Sequence, residues 1–381
     1  MKSKQIRDLI FYLHRYLGLI VGLVVIIIGF TGSMLVFEKE INQFLISQQF
    51  GSVIPQQQRL PLESVLETVK TAYTSQPNLK LLGINSLPDS DTPYRVFLLS
   101  PDEKRTEVFV NPYTGKIMGA RQSENTLFGL IFKLHYQLLA GDIGTIIVGI
   151  VALLLFILCI TGIILWPGWN RLMAGFKIKW NAHIKRVNFD LHKVAGIVTA
   201  IFLTMIAFTG FCWNFYNFTK PLIYVATFTP IPPDPVSHPI AGKSPLRLTE
   251  ILQKADAALP SAYTTYIRLP QAPEGVVRVG KKLPQETTEY GRSQVYLDQY
   301  TGEVVQLKNA LKSSRADRFL DAFAPMHYGT FGGLPTRILY VFVGLALLTL
   351  SVTGFIMWWY RYKGKNPKPQ TRKMVEPASR S

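Results

Sequence analysis

Six histidines occur in 381 residues, and four of them stand at matched positions. His14 is followed at +4 by Gly18 and at +17 by Thr31-Gly32. His192 is followed at the same steps by Gly196 and Thr209-Gly210. His135 is followed at +6, +26 and +31 by Gly141, Thr161-Gly162 and Trp166; His327 is followed at those steps by Gly333, Thr353-Gly354 and Trp358. One histidine at a helix end is usually an interfacial or capping residue, and repetition is what argues for ligation. Two imidazoles that approach one iron from opposite faces are what a bis-histidine haem requires. The repeat pairs His14 with His192 and His135 with His327, predicting two haem b groups. Arg15 and Lys193 directly follow two of these histidines and can meet haem propionates or lipid phosphates. Gly18, Gly22, Gly196, Gly141 and Gly333 remove bulk where a large flat cofactor needs room. The Thr-Gly pairs, with Trp166 and Trp358, read as close helix packing and an interfacial aromatic belt. His183 and His238 have no counterpart and read as solvated.

The elements that must position these residues are membrane helices. Four apolar runs, at roughly 16–37, 145–166, 194–217 and 336–359, are about 20 residues or slightly longer, the length that crosses a ~30 Å hydrocarbon core. None carries a charged residue in its middle. The first run exits through Phe37-Glu38-Lys39-Glu40 without a small-residue cleavage site, so it reads as an uncleaved anchor. Net charge is +17. The N-terminus, the loop 167–193 and the tail 361–381 hold 17 of the 41 Lys/Arg but only 3 of the 24 Asp/Glu. Short basic loops stay in the cytoplasm, so both termini are expected there. Topology and anionic lipid account for the basic excess, which leaves no argument for nucleic acid. Cys159 and Cys212 lie inside the spans and read as small core residues.

The two long segments between spans repeat as well. Residues 62–120 and 246–308 each read as a helix followed by strands. The last strands expected, at Glu107-Val108-Phe109-Val110 and Gln294-Val295-Tyr296-Leu297, enter Asn111-Pro112-Tyr113-Thr114-Gly115 and Asp298-Gln299-Tyr300-Thr301-Gly302. The stretch 227–245 is Pro-rich and reads as extended. The fold class expected is membrane α-helical: a four-helix transmembrane bundle with two outward α+β modules and an internal parallel duplication. The segments are 1–37 (N-terminus and first span), 38–142 (first module), 143–166 (second span), 167–192 (cytoplasmic loop), 193–217 (third span), 218–335 (second module), 336–360 (fourth span) and 361–381 (basic tail).

His14-Arg15-Tyr16-Leu17-Gly18, Asp190-Leu191-His192-Lys193, the Thr-Gly-x-x-x-Trp endings and the paired Tyr-Thr-Gly turns resemble the PepSY-associated transmembrane family over about 10–362. The family includes inner-membrane ferrisiderophore reductases of the FoxB type, similar to this chain in length and organisation. The resemblance implies haem b, two periplasmic PepSY-like modules, a bacterial inner-membrane location and reduction of Fe(III)-siderophore to release Fe(II). Some relatives carry a C-terminal flavin and nicotinamide domain that this sequence lacks, so the electron donor is expected to be a quinol or a separate reductase. Electron transfer calls for no acid or base, and no catalytic side chain is nominated. The competing class is a PepSY-type membrane-anchored peptide-binding or regulatory protein without haem. A siderophore or metal transporter ranks below both, because the spans hold no buried acidic residue for ion coupling.

Overall fold

The computed structural model describes residues 3–76, 78–87, 89 and 91–365. The basic tail expected at 361–381 lies outside the described residues from 366 on. The chain divides into two compact units. One comprises residues up to 33, 147–211 and from 338 on; the other comprises 34–146 and 212–337.

The first unit is built on four long helices: α1 (Ser3–Leu35), α5 (Gly141–Leu165), α7 (Ile184–Asn214) and α12 (Leu334–Lys365). All four are long and apolar enough to cross a membrane. α1 and α7 begin well before their apolar runs, because the polar residues there are themselves adequate helix formers and extend an already nucleated helix. Val21, Val25, Val151, Leu203, Val343 and Leu347 form the buried centre. The Ser33 hydroxyl crosses from α1 to donate to Val341 O at 3.0 Å. A short helix, α6 (Leu172–Phe176), lies between α5 and α7.

The second unit holds one antiparallel sheet of eight strands in the order β4-β3-β2-β1-β5-β6-β7-β8. The strands are β1 (Lys80–Asn85), β2 (Tyr94–Leu99), β3 (Arg105–Val110), β4 (Ile117–Gln122), β5 (Tyr263–Arg268), β6 (Val276–Lys282), β7 (Ser293–Asp298) and β8 (Val304–Lys308). Helices α3 (Leu62–Ala72) and α9 (Leu248–Ala258) each precede four strands. Val65, Val69, Ile251 and Ala255 on these helices pack against Ile84, Val96, Val108, Ile267, Val279 and Val295 of the strands. The unit also contains α2 (Glu38–Phe50), α4 (Leu127–Gln137), α8 (Tyr216–Ala226), α10 (Arg315–Asp321) and α11 (Phe323–Tyr328).

Two features depart from the sequence reading. Each half carries one strand beyond the turn where the sequence ended it, β4 after Gly115 and β8 after Gly302. These edge strands are largely exposed or half-buried, so their alternation is faint. The two halves also join edge to edge into a single sheet: β1 pairs with β5 through Gly83↔Arg268, Ile84↔Ile267 and Asn85↔Tyr266. Backbone groups make that seam, with Ser86 N–H donating to Thr265 O at 2.8 Å and Leu269 N–H to Leu82 O at 2.9 Å. No side-chain pattern announces it.

Candidate functional site

In the first unit, α1 presents His14 and α7 presents His192, with ring centroids 6.3 Å apart and planes at 89°. Each ring is held by the next of the four long helices in chain order. His14 Nδ1 lies 2.9 Å from Thr161 Oγ1 on α5, and His192 Nδ1 lies 2.9 Å from Thr353 Oγ1 on α12. A threonine hydroxyl has one proton. Thr161 gives its proton to Ile157 O at 2.8 Å, and Thr353 gives its to Thr349 O at 2.6 Å. Each oxygen is left as an acceptor, so the imidazole must donate from Nδ1. That sets the tautomer and leaves the Nε2 lone pair available as a ligand. The neighbouring glycines pass close beside the rings. A Cβ at Gly162 would stand 3.3 Å from His14 Cε1, and one at Gly354 would stand 3.5 Å from His192 Cε1. Sequence reasoning assigned these Thr-Gly pairs to helix packing alone. The one available signal was their fixed distance from a histidine in both halves.

The flanking cations divide. Arg15 stacks over the rings of Phe11, Tyr12 and Tyr16 at 5.5, 4.9 and 4.7 Å and donates to Tyr16 Oη at 3.0 Å. Its buried Nε has no hydrogen-bond partner among the described residues. An oxyanion beside α1 would satisfy it. Lys193 is placed differently from the sequence expectation. Its ammonium donates to Ala174 O at 2.9 Å, Lys177 O at 3.0 Å and Asp190 Oδ1 at 2.9 Å, which uses all three protons. Asp190 in turn accepts from Lys179 N–H and Arg186 Nε. Lys193 therefore fastens α6 and the loop after it to α7 rather than facing a ligand. Asn188, one turn before His192, donates to Thr353 O at 2.9 Å and ties α7 to α12.

The second unit repeats the motif. His135 sits in the last turn of α4 and His327 in the last turn of α11, with ring centroids again 6.3 Å apart and planes at 73°. Both helices end in a left-handed cap, at Leu138 and Gly329. Trp213 lies 5.0 Å from the His327 ring and 5.6 Å from Tyr328, walling one side. Gly141 and Gly333 take positive φ at the entries to α5 and α12, and nothing lies within 4 Å of a Cβ at either. They serve the turn in the backbone.

The spacing of both pairs suits one metal between two rings. Metal–imidazole bonds of about 2.0 Å, with each ring nitrogen about 1.1 Å from its centroid, place opposed centroids about 6.2 Å apart. Among the described residues there is no group of three or more His, Cys, Asp or Glu that could hold a metal ion. Two protein nitrogens suffice when a macrocycle supplies the other donors, so the donor sets fit a haem. The remaining histidines lie elsewhere. His183 Nδ1 accepts from Lys185 N–H at 3.2 Å at the start of α7. The exposed His238 side chain lies 3.8 Å from Asp298 Oδ2. Cys159 and Cys212 are free and buried.

A protein-family model described as PepSY-associated TM region matches residues 11–361, a span that includes all four paired histidines. No curated protein matches the chain.

Proposed function

The chain belongs to the PepSY-associated TM family, and from that premise we propose that it is a membrane oxidoreductase with two haem b sites that reduces Fe(III)-siderophore in the periplasm. The observation that carries this reading is the imidazole pair seen twice at 6.3 Å. His14 and His192 would hold one haem, and His135 and His327 the other. When bound, such a group supplies a reversible one-electron couple. The protein's part is to fix the ligand geometry. Thr161 and Thr353 hold two of the imidazoles in the ligating tautomer, Gly162 and Gly354 lie close beside the rings, and Arg15 offers an unspent donor to an anionic edge. Lys193 braces the helix end that carries His192.

The ferric chelate is the substrate. One electron converts Fe(III), held by hard oxygen donors, to Fe(II), for which those donors are a poorer match, and release follows. A quinol or a separate reductase supplies the electron. No side chain of this protein needs to transfer a proton. The reading places the protein in the bacterial inner membrane as two span–module–span repeats with PepSY-like periplasmic modules and cytoplasmic termini. Basic segments on one side of the four spans and the symmetric strand order support it.

The purified protein is expected to show a reducible b-type Soret and α band with two haems per chain. His135→Ala or His327→Ala should remove one haem and leave the other; His14→Ala or His192→Ala should do the converse. A colourless, well-folded preparation supports instead the haem-free peptide-binding regulator. Loss of both haems from any single substitution contradicts two separate pairs.

A further inference from the structure

The eight-stranded sheet has two faces. One is apolar under α3 and α9. The other carries five arginines: Arg95, Arg105, Arg121, Arg268 and Arg278. Register places Arg268 directly opposite Arg278 on neighbouring strands, and Arg278 opposite Tyr296. Like charges directly opposite one another destabilise a sheet. Aromatic rings are threaded among them. Arg268 lies over Phe97 at 5.3 Å and Tyr266 at 4.9 Å, Arg105 over Phe97 at 5.9 Å, and Arg278 over Tyr266 at 5.6 Å.

Of the acidic groups of this face, Glu107 lies on β3 and Asp298 ends β7, where backbone N–H groups of His238, Tyr300 and Thr301 hold its carboxylate. Glu107 pairs with Arg121 at 2.9 Å and with Arg95 at 3.8 Å. The nearby Glu38 carboxyl, raised by burial, is pulled back by Arg95 and Arg121. Among the described residues no ion pair joins Arg105, Arg268 or Arg278 to a carboxylate. Arg268 is half-buried and finds only Asn85 Oδ1 at 2.9 Å and Ile267 O at 3.2 Å. Burial, and next the charge of Arg278, lower the hold of Arg268 on its proton. Ring faces offset part of the repulsion, but three guanidiniums grouped without an anion leave forked donors to spare.

We propose that Arg105, Arg268 and Arg278, interleaved with Phe97 and Tyr266, form a binding site for an anionic ferric chelate of the catecholate class. A tris-catecholate complex is negatively charged and presents aromatic rings. Guanidiniums meet its charge and its ring faces together, while a tris-hydroxamate complex of Fe(III) is neutral and lacks the rings. The iron in this proposal rests on the ferrisiderophore reading; the preference for a catecholate rests on the sheet.

The test uses the full chain in lipid nanodiscs and the gallium(III) complexes of a tripodal tris-catecholate and a tripodal tris-hydroxamate. Gallium(III) is not reduced under these conditions, so binding is read apart from electron transfer. The catecholate is expected to bind about tenfold or more tighter, a difference of about 1.4 kcal/mol, and to weaken as salt is raised. Arg278→Gln and Arg105→Gln should each weaken it about fivefold to tenfold with unchanged melting temperature, and Arg278→Lys should weaken it less. Equal affinity for the two complexes overturns the proposal. So does a Gln variant that loses stability but binds as before, since that marks a structural cation–π ladder. Displacement by equimolar inorganic phosphate also overturns it, by showing a simple oxyanion site. Catecholate binding by a well-folded protein that takes up no haem refutes the reductase reading and leaves this site standing; a haem-loaded protein indifferent to the chelates does the reverse.

Discussion

A histidine that ligates through Nε2 is a ligand only while Nδ1 carries the proton, so the group that accepts from Nδ1 is part of the site. Thr161 and Thr353 occupy that position, each with its own proton already committed to its helix. Such supporting hydrogen bonds typically contribute 10- to 100-fold in metal affinity. Thr353→Val keeps the shape and removes the acceptor. It is expected to weaken haem retention at the His14/His192 pair by about tenfold or more, and to shift the midpoint potential of that haem alone. Thr353→Ser should retain both properties. The measurement is haem loss to a scavenger protein together with a redox titration, and retention equal to the unmodified protein would remove Thr353 from the site. The four histidines were legible because their spacing repeats. The threonines were not, because a Thr-Gly pair in an apolar helix has the same appearance whether it packs against a neighbour or accepts from an imidazole. Lys193 misled for a related reason. Its charge was read as a partner for propionates or lipid phosphates because it follows His192, although Asp190 one turn earlier on the same helix marked a partner.

At the scale of the element, the two Tyr-Thr-Gly turns show how far a short motif carries. Asn111 Oδ1 accepts from Tyr113 and Thr114 N–H at 2.9 and 3.1 Å, and Asp298 Oδ1 accepts from Tyr300 and Thr301 N–H at 2.8 and 2.9 Å. Gly115 at φ 72° and Gly302 at φ 67° close the turns in the left-handed region. The sequence discloses these hairpins, but not the edge strands after them nor the β1–β5 seam, which rest on backbone hydrogen bonding. One difference between the turns titrates. Burial acts to raise the Asp298 carboxyl, but N–H donation from His238, Thr301 and Tyr300 outweighs it and holds the group below the ordinary carboxylate range. A carboxyl depressed in the folded state contributes stability that is fully present above its unfolded pKa of about 3.9 and is lost as pH falls through the folded value. Asn111 contributes no such slope. Asp298→Asn should therefore flatten the acid limb of unfolding below about pH 4, followed by far-ultraviolet dichroism, at the expense of some stability near neutral pH. An unchanged acid limb would show that the turn does not govern it.

At the scale of the whole molecule, charge and apolar length argue together. Four helices have the length and apolarity to span a bilayer. The segments flanking them on one side concentrate 17 of 41 Lys/Arg against 3 of 24 Asp/Glu. Positively charged flanks resist translocation, whereas long folded segments cross regardless of their charge. The intervening stretches 38–142 and 218–335 are long and near charge balance, so they are the parts free to cross. Their folding into one sheet requires both to reach the same compartment, because β1 comes from the first stretch and β5 from the second. An even number of spans between them satisfies that condition, and an odd number would forbid the seam. The topology can be read with two reporters. A fluorescent protein fused after the tail should mature, as it does in the cytoplasm. Alkaline phosphatase inserted at the exposed turn between Asp102 and Glu103 should be active, as it is only outside. The turn is a suitable site because its backbone closes locally, Ser100 N–H donating to Lys104 O at 3.0 Å. A dark tail fusion with an inactive insertion would invert the orientation. It would then place both repeats in the cytoplasm and remove the periplasmic ferric chelate from reach.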